Sequence, residues 1–135
     1  MALGTVARVF GIIYLVVGVL GFVPALAQAS GDPHVVIGTT AYLLGLFPVN
    51  ILHNAVHVVI GLAGLAMGAS TRGALAYLRA LAVIYALLAV LGLIPLTNTL
   101  FGLVPIGGND IWLHAVTAIL AAYFGWRVTT SETAA

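Results

Sequence analysis

Long apolar stretches separated by short polar clusters run through the whole chain, and their lengths decide what they predict. The hydrocarbon core of a bilayer is about 30 Å thick and takes about 20 helical residues to cross. Three stretches reach that length, at roughly 6–27, 49–68 and 75–96. A fourth, at 110–126, is slightly short, with Trp112 and Trp126 placed as interfacial anchors. Between the first two lies 35–47, apolar but broken by Gly38, Thr39 and Thr40. At about 13 residues it is too short to span, so it is expected to be an interfacial or re-entrant segment.

The pattern repeats within the chain. Gly45-Leu46-Phe47-Pro48 returns as Gly102-Leu103-Val104-Pro105 at an offset of 57, which also carries His57 onto His114, His53 onto Asp110, Gly61 onto Ala118 and Gly68 onto Gly125. Stretches one and three match at an offset of 71, carrying Arg8 onto Arg79, Tyr14 onto Tyr85, Gly21 onto Gly92 and Pro24 onto Pro95. The expected architecture is therefore all-α. A four-transmembrane-helix bundle forms one membrane domain over 1–135 from two tandem two-helix repeats, about 6–68 and 75–127. Because each unit crosses twice, a pseudo-two-fold axis along the membrane normal should relate the copies.

Composition agrees with burial in lipid rather than water. The chain is 63% hydrophobic and 5% charged, against about 25% charged in a typical soluble domain. No basic run suggests nucleic acid, and the absence of Cys excludes disulfides and thiolate chemistry. Arg8, Arg72, Arg79 and Arg127 fall at the N-terminal approach, the 69–79 connection and the C-terminal flank. The positive-inside rule then puts both termini in the cytoplasm and the 28–47 loop, with Asp32 and His34, outside. Residues 1–27 also read as a secretory signal, with Ala25-Leu26-Ala27 resembling a cleavage site. The match of this stretch to a later one favours a retained span.

Polar residues then define where chemistry can sit. At 100° per residue, the second stretch gathers Asn50, His53, Asn54, His57, Gly61, Gly64 and Gly68 on one face, and the fourth gathers Asp110, His114, Thr117, Ala118, Ala121 and Gly125. The other two contribute Gly11, Tyr14, Gly18 and Gly21, and Ala82, Tyr85, Ala89 and Gly92. Small and polar residues of membrane helices face the bundle interior. At 1.5 Å per residue, His57 and Tyr14 both lie about 13–15 Å below the outer prolines, so a Tyr–His hydrogen bond is expected in each half. His53 with His57, and Asp110 with His114, are i, i+4 pairs able to chelate an ion, and together they form a ligand set for zinc, iron or manganese. The first expectation for this cluster is a structural hydrogen-bond network that includes Tyr14, Tyr85, Asn50 and Asn54, with the metal site and a haem or pigment site as the alternatives. Asn50 and Asn109 are expected to be helix caps, Asp110 also suits a helix N-terminus, and His34 is expected to be a solvated loop residue.

Two phrases, residues 47–57 and 102–114, carry a resemblance. They are similar to a domain-of-unknown-function family of small four-helix bacterial membrane proteins, over roughly 4–126. The resemblance implies a bacterial cytoplasmic membrane location and brings no activity with it. Three roles follow as expectations. The chain is a structural or accessory subunit of a larger membrane complex or homo-oligomer, a metal- or cofactor-binding protein, or a small transporter or proton-conducting element. No nucleophile–base pair is present to favour hydrolysis.

Overall fold

Apolar periodicity lays down four helices, and side-chain caps start two of them. In the computed structural model, which describes residues 2–30 and 34–127, these are α1 (Leu3–Leu20), α2 (Ile51–Met67), α3 (Thr71–Leu93) and α4 (Asp110–Ala122). A π-helical turn, Tyr123–Arg127, continues α4. Asp32 and Glu132 lie outside the described residues, as does the side chain of Arg127. The Ser70 hydroxyl starts α3 by accepting from Gly73 N–H at 3.0 Å. The first helix stops at Leu20, earlier than residue 27. The chain tightens into i→i−3 bonds, Phe22 to Val19 and Val23 to Leu20, as it approaches Pro24, whose ring cannot continue a helix.

The segment between α1 and α2 departs from expectation. An antiparallel sheet in the order β1 (Ala27–Ala29), β2 (Ala41–Leu43), β3 (Phe47–Val49) occupies it, so the chain is mostly helical rather than all-α. Residue 49 closes β3 instead of opening α2. The pairing register sets Ala27 opposite Leu43 and Ala41 opposite Val49. Alternation explains the strand: in β2 Leu43 is buried while Tyr42 is exposed. Pro48 is tolerated because β3 is an edge strand.

The two Gly-Leu-x-Pro phrases make the same turn. Leu44 and Gly45 have φ of 54° and 72°, and Leu46 N–H closes onto Leu43 C=O at 3.0 Å. Phe101 and Gly102, 57 residues on, have φ of 59° and 88°, and Leu103 N–H closes onto Leu100 C=O at 3.3 Å. Positive φ at both central residues is the type I′ turn, and it needs glycine at one of them.

Packing is pairwise and close. α1 lies antiparallel on α2, with a methyl at Gly11 2.8 Å from Gly61 O and one at Gly61 2.5 Å from Leu15 N. In the second pair, Arg79 Nε donates to Gly125 O at 2.9 Å, and its guanidinium lies 5.5 Å from the Trp126 ring centre. Gly4 meets Gly68 in the same way. The start of α1, the α2–α3 connection and the end of α4 thus share one end of the bundle. The turns and sheet occupy the other, here the loop end. Val6, Ala7, Tyr14, Leu78, Tyr85 and Ala121 form the centre of the core. Outward faces are apolar too, as at Ile12, Val16, Ile84, Leu87 and Ile119. α1 and α3 are long and apolar enough to cross a membrane, and only 33% and 39% of their spans are buried within the chain.

Candidate functional site

The first turn of α2 is fastened before its histidines are placed. Asn50 accepts from His53 N–H at 2.8 Å, as a cap should, and its Nδ2 also donates to Ile37 O at 2.9 Å and Leu103 O at 2.7 Å. Asn109 behaves differently from the expected cap. Its backbone is already helical, so its side chain turns outward, donating to Leu46 O at 3.0 Å and accepting from Trp112 Nε1 at 3.3 Å. Asp110 follows it in the first turn of α4, pointing inward.

Every polar residue of both predicted stripes is buried. His53 and His114 are 3% exposed, His57 7% and Asp110 2%. His53 Nδ1 and Asp110 Oδ2 stand 3.8 Å apart, too long for a hydrogen bond. One ligand atom from each of His53, Asp110 and His114 falls within 4.8 Å of the other two. His57 lies outside this trio. Its ring packs edge-on against His53 at 4.5 Å between centroids.

The aromatic rings continue the enclosure. His57 meets Tyr14 at 5.2 Å, Tyr14 meets Tyr85 at 5.3 Å, and Tyr85 meets His114 edge-on at 5.1 Å. The Tyr14 hydroxyl does not bond a histidine as expected. It donates to Thr117 Oγ1 at 3.1 Å, because Thr117 stands one turn beyond His114 on the same stripe. The Tyr85 hydroxyl pairs with Tyr14. Thr117 was visible on the inward face of α4, but spacing alone did not select it as a partner.

Satisfaction of these groups is uneven. The imidazole of His53 hydrogen-bonds the backbone of Pro105 and Pro48. Proline has no N–H, so it is carbonyl oxygens that the ring faces there. Nδ1 of His53, His57 and His114, with Asp110 Oδ2, have no hydrogen-bond partner. Asn54 Oδ1 is unpartnered as well, and its carboxamide fills the space that a side chain at Gly21 would occupy. His34 sits at the loop end, lining a cavity of about 190 Å³ with Tyr42, Pro48, Asn98, Thr99 and Pro105.

The model of a family described as a domain of unknown function (DUF4383) matches residues 5–127. No curated protein and no solved structure matches the chain.

Proposed function

The chain belongs to this family of unknown function, and from its own residues we propose that it is a four-span membrane protein that binds a divalent metal ion at His53, Asp110 and His114. One observation carries the reading: a ligand atom from each of three buried side chains lies within 4.8 Å of the other two, and His53 Nδ1, Asp110 Oδ2 and His114 Nδ1 all lack a hydrogen-bond partner. Buried polar groups are paired in the great majority of cases, and each orphan costs about 1–3 kcal/mol. A purely structural network would be expected to satisfy its members. A hydrogen-bond relay from Asp110 to His53 would need less than the 3.8 Å that separates them. An ion satisfies all three at once.

The chemistry of the donor set supports the same reading. A ligating imidazole usually donates its other N–H to a carbonyl or carboxylate, which aims its lone pair at the ion. His53 does this through Pro48 and Pro105, leaving Nδ1 bare. Tetrahedral ligands at about 2.1 Å from an ion lie about 3.4 Å apart, so adjustments of about 1 Å would close the site. Two imidazoles and one carboxylate suit zinc with an open fourth position, or iron or manganese. His57 backs His53 instead of supplying a fourth ligand.

The membrane arrangement rests on separate support. Four crossings accommodate the apolar outer faces, with α2 and the extended α4 as the antiparallel partners of the two longer helices. Two-fold relation of the halves is supported by the twin turns, by the nearly equal Tyr–His spacings, and by an exchange of hydrogen bonds. Asn50 of the first half holds Leu103 O, and Asn109 of the second holds Leu46 O. Arg8, Arg72 and Arg79 group toward the opposite end, which the positive-inside rule assigns to the cytoplasm of a bacterial cell.

Elemental analysis of protein purified without chelator tests the reading. One equivalent of zinc, iron or manganese is expected, lost in His53→Ala/His114→Ala. Wild-type protein that is metal-free and not stabilised by any of the three ions would end it.

A further inference from the structure

Resting on the metal reading above, we propose that the ion reaches the buried site from the loop end, through the cavity bounded by His34, Tyr42, Asn98 and Thr99, which first holds it with its water shell. This cavity opens beside the starts of α2 and α4, the helices that carry the trio. Its boundary includes Pro48 and Pro105, the two residues whose carbonyls bond His53. It also includes Gly107, whose carbonyl accepts from Asp110 N–H at 3.3 Å. Two of the three ligands are therefore one contact away from it. The opposite direction is closed: toward the Arg-bearing end the bundle is filled by Tyr85, Leu78, Leu81 and Ala121, all at most 3% exposed.

Size and lining fit a hydrated cation. The cavity, of about 190 Å³ and partly open at the loop end, has room for several waters around an ion. Tyr42, Asn98 and Thr99 around it offer a phenol, an amide and a hydroxyl. These replace water hydrogen bonds without the charge that would trap the ion short of Asp110. The connecting backbone is held in place, with Gly102 N–H on Thr99 Oγ1 at 3.0 Å and Ile106 N–H on Asn98 O at 2.8 Å. An ion entering the trio exchanges shell waters for one donor atom each of His53, Asp110 and His114; the displaced waters, and any proton on the Asp110 carboxyl, leave to solvent.

Two substitutions test the route. Gly107 has no positive φ, and a methyl there would lie 3.3 Å from Asn98 Cβ, so Gly107→Val narrows the cavity without straining the backbone. Tyr42→Ala widens it. The uptake of zinc by metal-stripped protein in detergent is followed in time, and the zinc bound at equilibrium is measured separately. Gly107→Val is expected to slow uptake about tenfold, equivalent to about 1.4 kcal/mol on the barrier, with one equivalent still bound at the end. Tyr42→Ala is expected to speed it. Wild-type rates in both variants, with full stoichiometry, would overturn the route and leave the site standing. Wild-type protein that binds no zinc at saturation would overturn both. If Gly107→Val lowers the stoichiometry, Tyr42→Ala decides: faster uptake upholds the route and an unchanged rate overturns it.

Discussion

Adding one methyl group at Gly61 strikes one of the tightest backbone approaches in the molecule's first helix pair. The new carbon would stand 2.5 Å from Leu15 N and 2.7 Å from Leu15 Cα, both main-chain atoms that no rotamer change can move. Ordinary contact begins at about 3.5 Å, so α1 and α2 would have to part by about 1 Å, which forfeits up to half of the dispersion energy of each facing atom pair. Separation would spread to Gly11, whose own approach to Gly61 O and Leu65 N is 2.8 Å. Overpacking of this kind costs about 1–3 kcal/mol. Thermal unfolding of Gly61→Ala in detergent micelles, followed by circular dichroism, should therefore show a clear loss. The corresponding position in the second half is already alanine, at Ala118, and Ala118→Gly should cost only the helix penalty of glycine, about 1 kcal/mol. A Gly61→Ala protein as stable as wild type would refute the account of how the first pair is held.

Other outcomes follow from the same contacts. Tyr14→Phe removes the bond to Thr117 and should cost about 1 kcal/mol of thermal stability; Thr117→Val should cost a similar amount and the double variant no more, and additive losses would show that the two do not act together. Asp110→Asn should abolish metal binding by elemental analysis while making the metal-free protein more stable, since a buried unpaired carboxyl disappears; retention of stoichiometric metal would remove Asp110 from the site. Wild-type protein at a zinc concentration about 100 times the dissociation constant should gain about 2.7 kcal/mol, a gain absent in Asp110→Asn. Reporter fusions should place the C-terminus in the cytoplasm and an insertion near Asp32 outside; periplasmic activity of the C-terminal fusion would contradict four crossings.

Much of this was legible in the residue pattern because helices in an apolar chain leave few ambiguities. The inward stripes of α2 and α4 were readable at 100° per residue, and every residue from Asn50 to Gly68 and from Asp110 to Gly125 on those stripes is buried. What escaped was set by long-range contacts. β2 is only three residues long, and its alternation of Ala41, Tyr42 and Leu43 is too short to separate from an apolar helix fragment. Asn109 carries a capping residue's identity, yet the carbonyl of Leu46, supplied by the other half, draws its side chain away. Of the four candidate ligands His53, His57, Asp110 and His114, the structure groups atoms of three within 4.8 Å, because i, i+4 spacing cannot tell which ring of a pair faces the partner helix. The Tyr14 partner was misassigned for a similar reason: depth matched His57, but the hydroxyl sits at the end of a ring that already stacks on that imidazole.

The mismatch of His53 with Asp110 has a consequence for how such a chain arises. Under the proposed two-fold relation, an ancestor made of two identical two-helix chains could offer only two imidazoles or two carboxylates at that level, never one of each. Its site would have carried an even number of negative charges. Joining two such copies through a connection as short as residues 68–70 would free one residue to drift from its twin. On that reading, the change at this level would give a lone carboxylate among histidines that a symmetric dimer cannot encode.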